Sequence, residues 1–131
     1  MIIWKTEQLK KELAKCPSDL RLMVYILEYL AQKYFKKDIV ITSIYRPDDL
    51  TSVHAYYRGI DVRVFYQERG DSEMQEWFTE KEAIQLVANL TYYFDYGDGA
   101  HLVAILHGEP KHIHLQVAEN KSITVIRNWN K

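Results

Sequence analysis

One cysteine, three prolines and five glycines are all that the 131 residues contain of the types that staple, break or loosen a chain. The lone Cys16 excludes an intramolecular disulfide and any cysteine-rich zinc site. No proline-rich linker, internal repeat or low-complexity stretch divides the chain, so residues 1–131 read as a single domain. No charge of one sign prevails. Lys+Arg 17 against Asp+Glu 18 leaves a formal net charge of −1, without the basic excess of a dedicated nucleic-acid binder. The longest apolar runs, residues 22–27 and 102–106, fall far short of the ~20 residues that span a bilayer, so membrane insertion is not expected. The first residues lack the basic segment and apolar stretch of a secretory signal, and a soluble protein made in the cytoplasm is expected. What is present is an ordinary globular balance, 47% hydrophobic and 27% charged. A chain of this length buries roughly two-thirds of its unfolded surface, enough for a core without staples. The ten tyrosines favour a groove or interface lined by amphipathic rings.

Residues 5–15 read as a short polar helix, broken by Pro17-Ser18-Asp19. Leu20, Met23, Val24, Leu27, Leu30, Ala31 and Tyr34 then fall at the three-four spacing of a helix face, which predicts a helix over 20–36. The β-branched and aromatic run 39–45 predicts a buried strand, and 47–59 a loop. Residues 60–66 alternate as a strand, followed by a turn at Gly70-Asp71-Ser72. Thr79-x-x-Glu82 is a capping box that opens a helix over 80–94, stopped by residues 96–99. Strands are predicted at 102–106, 112–118 and 122–127, the last two joined as a hairpin through Glu119-Asn120-Lys121. Helices first and strands last predict an α+β fold: N-terminal helices packed on a largely antiparallel sheet.

Chemistry concentrates in His54, Asp61, Glu109, His112 and His114. His54 and Asp61 would lie ~10 Å apart along one helix or ~23 Å apart along one strand. Neither separation lets both reach one ion at ~2.0–2.2 Å. The intervening residues must fold back, and Gly59 makes a close turn feasible. His112 and His114, two apart on a strand, face the same side, opposite the apolar Ile113, Leu115 and Val117. One carboxylate and two imidazoles leave a zinc ion an open fourth position for a water acidified toward neutral pH. Glu109, just before the His-x-His strand, is placed to take that water's proton. The helical His-Glu-x-x-His signature is absent, which excludes that protease class. Read singly, the same residues have plainer roles: Asp61 could pair with Arg63 on the same strand face, and His101 and His107 read as ordinary loop or strand-end residues.

The run Ile41-Thr42-Ser43-Ile44-Tyr45-Arg46, then Ser52-Val53-His54-Ala55-Tyr56-Tyr57-Arg58-Gly59-Ile60-Asp61, resembles the zinc D-alanyl-D-alanine peptidases. Their pattern is Ser-x-Tyr-Arg, then Ser-x-His-x-x-Gly-x-Ala-x-Asp. Glu109-Pro110-Lys111-His112-Ile113-His114-Leu115 resembles their Glu-x-x-His or His-x-His segment, and is similar to the related zinc domain of hedgehog proteins. Tyr57 stands where the pattern has Gly, and Gly59 where it has Ala; Tyr57 is expected to narrow the cleft.

The resemblance, over residues 20–117, implies a hedgehog/DD-peptidase-like fold holding one Zn2+ per chain. It implies His54 and Asp61 as the first two ligands. The third is His112 by the carboxypeptidase spacing or His114 by the hedgehog-like strand pattern; His114 is preferred because the alternation runs on past it. It further implies Glu109 as general base, His112 as the residue that orients the water or stabilises the oxyanion, Arg46 on a substrate carboxylate, and Ser52 positioning substrate. The expected activity is a zinc metallopeptidase, a carboxypeptidase or endolysin-type endopeptidase acting on peptidoglycan stem peptides. It would act as a monomer, at the cell wall if the protein is of phage type. The alternative is a catalytically inactive zinc-containing binding module of the same fold.

Overall fold

A computed structural model describes residues 1–94 and 103–117. The chain begins with strand β1 (Ile2–Trp4) and two helices, α1 (Glu7–Leu13) and α2 (Ser18–Phe35). Strand β2 (Ile39–Ser43), a short 3-10 turn (Val53–Tyr56) and β3 (Gly59–Arg63) follow. A small hairpin of β4 (Phe65–Tyr66) and β5 (Gln75–Glu76) precedes α3 (Glu80–Tyr93), β6 (Ala104–His107) and β7 (His112–Gln116). The fold is α+β, with a mixed five-stranded sheet in the order β1-β2-β3-β7-β6.

Each long helix forms for a reason written in its residues. Leu20, Met23, Val24, Leu27, Leu30 and Ala31 of α2 are all buried, as their three-four spacing requires. The helix ends at Lys36, which adopts the left-handed conformation (φ 54°) usually filled by glycine. Thr79 opens α3 with the full capping box: its hydroxyl accepts from the Glu82 N–H, and the Glu82 carboxylate accepts from the Thr79 N–H. Both helices pack on one face of the sheet. That face carries Ile41, Val62 and Ile113 in one row across three strands and Ile60, Leu115 and Ala104 in another, all buried.

Three features differ from the sequence expectations. Strand β1 has no periodic signature; it pairs parallel with β2, Ile2 opposite Ile39, and makes the sheet mixed. The strand predicted over 60–66 breaks at Val64, whose carbonyl accepts from the Trp77 N–H while the Phe65 N–H donates to the Lys111 carbonyl. The chain thus leaves the main sheet and forms the separate hairpin with β5. The predicted loop at 47–59 holds the 3-10 turn. The stop at 96–99, the start of the strand at 102–106, the hairpin at 119–121 and the strand at 122–127 lie outside the described residues, as does His101. No helix among the described residues is long and apolar enough to cross a membrane.

Candidate metal centre

The face of the sheet away from the helices carries the polar residues in two adjacent rows. In one, Ser43, Asp61, His114 and Ile105 are register partners across four strands. In the next, Arg63, His112 and His107 align. Strand alternation puts a carboxylate beside an imidazole in the first row, because Asp61 and His114 are directly opposite in the antiparallel ladder.

His54 reaches the same point from the 3-10 turn. Ser52 caps that turn, its hydroxyl accepting from the His54 N–H at 3.2 Å. The Arg46 N–H donates to the His54 carbonyl at 3.1 Å, tying the turn to the end of β2. The turn closes at Tyr57, left-handed at φ 58°. This is the position at which the peptidase pattern has glycine, the residue that conformation favours. Tyr57 stacks on Tyr45 with ring centroids 4.3 Å apart. Gly59 then lets the strand pass close beneath the imidazoles: a Cβ there would meet Val53 Cγ2 at 2.5 Å, His114 Cε1 at 3.1 Å and His54 Cδ2 at 3.4 Å.

His54, Asp61 and His114 are all buried, and their ligand atoms lie within 4.8 Å of one another. His54 Nε2 is 3.2 Å and His114 Nδ1 2.9 Å from Asp61 Oδ1. Donors at ~2.0–2.2 Å from a tetrahedral ion are about 3.4 Å apart, so these separations suit a shared cation.

The far side of each ring decides what the near side offers. His54 Nδ1 lies 2.8 Å from the Ile44 carbonyl, which only accepts, so Nδ1 carries the hydrogen. A neutral His54 therefore turns a lone pair on Nε2 toward an anionic oxygen. His114 Nε2 donates to Gln116 Oε1 at 3.1 Å, which leaves the Nδ1 lone pair facing that oxygen too. Lone pairs converging on a carboxylate repel unless a cation or additional protons stand among them. The outer hydrogen bonds also fix both rings, as supporting residues do around metal-binding histidines. The group can bind a metal ion.

Burial pushes the Asp61 carboxyl toward its neutral form. With no cation among them, hydrogen bonds that His112, and His114 and His54 once they carry a second proton, donate to it outweigh this and hold it well below the usual carboxylate range. His112 stands at the rim, its Nε2 3.4 Å from Asp61 Oδ1 and its Nδ1 donating to the Pro110 carbonyl at 3.1 Å. The bond to Asp61 raises its affinity for a proton, more than burial lowers it. Gly108, at φ +99°, keeps its backbone against the His112 ring.

The other predicted residues take separate places. Arg46 lies on the cluster itself, Nη2 3.6 Å from Asp61 Oδ2. Ser52 holds the turn that presents His54. Glu109 is exposed in the turn between β6 and β7, outside the buried group. It lines a cleft of ≈ 800 Å3 together with Asp61 and His112. The plain pairing of Asp61 with Arg63 is corrected: Arg46 takes Asp61, and Arg63 lies over the Tyr66 ring at 4.3 Å. His107, which has no pattern around it in the sequence, has its ring centroid 4.9 Å from that of His112 and 5.0 Å from that of His114. Burial, then the neighbouring His114 and His112, lower its affinity for a proton. The signal for it was the hairpin register, which sets His107 opposite His112.

Comparisons with protein-family models, with curated proteins and with solved structures found no match.

Proposed function

We propose that the protein is a zinc-dependent peptidase of the D-alanyl-D-alanine peptidase type, with a hedgehog/DD-peptidase fold, that hydrolyses an amide bond of peptidoglycan stem peptides. The observation that carries this reading is the buried convergence of His54, Asp61 and His114, with the outer nitrogen of each ring already bonded. Supporting it are the left-handed Tyr57 at the pattern's glycine position and the cleft that opens on the group.

Zinc, when bound, polarises a carbonyl and lowers the pKa of a coordinated water toward neutrality. His54 Nε2, Asp61 Oδ1 and His114 Nδ1 would hold it. Three ligands from the protein and one open position are the donor set of a catalytic rather than a structural site. The Glu109 carboxylate lines the cleft and is the group available to take a proton from the attacking water and return it to the leaving amine. His112, held through Nδ1 by the Pro110 carbonyl, presents Nε2 at the rim, where it can donate to a developing oxyanion. The Ile44 carbonyl and Gln116 keep the ligand rings from rotating.

Two measurements test the reading. Protein purified without added metal should contain about one zinc per chain, lost in His54→Ala and His114→Ala. Stem peptides followed by mass spectrometry should be cleaved, and cleavage should fall by at least ~100-fold in Glu109→Gln. Absence of both zinc and cleavage overturns the proposal. The exposed position of Glu109 favours one other reading, a zinc-containing binding module. Stoichiometric zinc with peptide binding but no hydrolysis, unchanged by Glu109→Gln, would select it.

A further inference from the structure

We propose that Arg63, not Arg46, anchors a carboxylate of the peptide substrate, with Lys5 as the second cation of that subsite; the assignment rests on the peptidase reading and adds to it the chemistry of the ligand.

Arg46 faces Asp61, so its charge is already matched by the buried carboxylate. Arg63 is on the same strand face as Asp61, two residues further along β3, or about 7 Å. Its guanidinium carbon sits 4.3 Å over the Tyr66 ring. Stacking of that kind fixes the guanidinium plane and leaves its edge N–H groups free to form a fork. Among the described residues Arg63 has no acidic partner, and its Nε is buried with no hydrogen-bond partner at all. Buried donors are seldom left so. Arg63 and Lys5 line the same cleft as Asp61, His112 and Glu109. Glu68 lines it too, without pairing to Arg63.

A planar fork held against a ring, beside a second cation and at the mouth of the metal-binding group, fits a carboxylate in two-point contact. The backbones of Asp61 and Arg63 are ~7 Å apart along β3, and both side chains line the one cleft. The carboxylate therefore belongs to a residue near the scissile carbonyl. Two sources satisfy that placement: the C-terminal carboxylate of a carboxypeptidase substrate, or a glutamate side chain in an endopeptidase substrate.

The test is calorimetric binding with protein as purified, so that it does not depend on turnover. The probes are N-acetyl-L-lysyl-D-alanyl-D-alanine, its C-terminal amide, and an L-alanyl-D-glutamyl peptide amidated so that the side chain is its sole carboxylate. The wild type should bind one of the two carboxylate peptides at least about tenfold more tightly than the uncharged one. Which one it prefers identifies the source. Arg63→Gln should abolish that preference while binding the uncharged peptide as before, and Arg63→Lys should keep part of it. Thermal melts and zinc content of each variant should match the wild type. The proposal is overturned if the wild type binds none of the peptides or shows no preference. It is equally overturned if the preference survives in Arg63→Gln, or if Arg46→Gln is what removes it. A carboxylate preference that depends on Arg63, found without zinc and without hydrolysis, would sink the peptidase reading and leave the subsite standing.

Discussion

Replacing Gly59 by alanine should loosen the metal-binding group from beneath. The added Cβ would stand 2.5 Å from Val53 Cγ2, 3.1 Å from His114 Cε1 and 3.4 Å from His54 Cδ2. Carbon pairs rest at about 3.5–4.0 Å, so Val53 must retreat by at least ~1 Å and the His114 ring by a few tenths. Val53 is β-branched and stiff about χ1, and it belongs to the turn that carries His54. The strand cannot move instead, because β3 is paired on both sides. Overpacking of this size costs about 1–3 kcal/mol, which for a chain of this length lowers Tm by roughly 3–12 °C. Displacing the supports of the two rings should weaken the zinc binding proposed above by about 10–100-fold. Differential scanning calorimetry reads the first effect, and competition with a chromophoric chelator the second. The worst contact is with one methyl group, so Val53→Ala in the Gly59→Ala background should recover most of both losses, a coupling that a double-mutant cycle isolates. Equal Tm and equal zinc affinity in Gly59→Ala and wild type would refute the reasoning, as would two substitutions whose effects simply add.

Lys36→Gly should raise Tm by about 2–5 °C, because glycine relieves a left-handed backbone strain of ~1 kcal/mol that lysine bears at φ 54°; an unchanged melt would show that the strain is absorbed elsewhere. Burial opposes ionisation of Glu82, but bonds from the Thr79 N–H and the Lys37 ammonium hold its carboxyl below the usual value. Its contribution is therefore complete above the ordinary carboxyl pKa of about 4.3 and vanishes as pH falls through the lower folded value. Glu82→Gln should be less stable than wild type by about 1 kcal/mol at pH 7, and urea titrations should show the gap closing below about pH 4; a gap independent of pH would refute this. Burial pushes the Cys16 thiol up to about 12. At pH 8 a disulfide reagent should label it only at the rate of unfolding, and fast labelling of the folded protein would contradict its packing.

Long elements with a full periodic signature were legible in the sequence. Helix α2 shows its buried stripe in the residue order, and α3 announces its start through Thr79 and Glu82. The strict alternation around Ile113 and Leu115 fixed which way His112 and His114 point. The need for residues 55–59 to fold back was legible too, from the spacing of His54 and Asp61 alone. What escaped were features decided by partners far along the chain. Three residues of β1 carry no period, and their place is set by β2, which begins at Ile39. The break at Val64 is set by a hydrogen bond from Trp77, thirteen residues on. His107 joins the imidazole cluster only through the register of a hairpin whose first strand looked merely apolar. Arg46 and Arg63 are both cations near Asp61 in sequence. Only side-chain placement tells which one neutralises it.

The three side chains that could hold a metal ion do not share one kind of support. Asp61 and His114 ride on two interior strands of the sheet, each paired on both sides, whereas His54 hangs on a turn of four residues. Capture and escape of an ion would thereby be unequal. The sheet's ladder holds two of the side chains, and the third depends on its turn alone. For an ion held there, the hydrogen bonds of that single arm, to Ser52 and the Ile44 carbonyl, would be the ones to break on release.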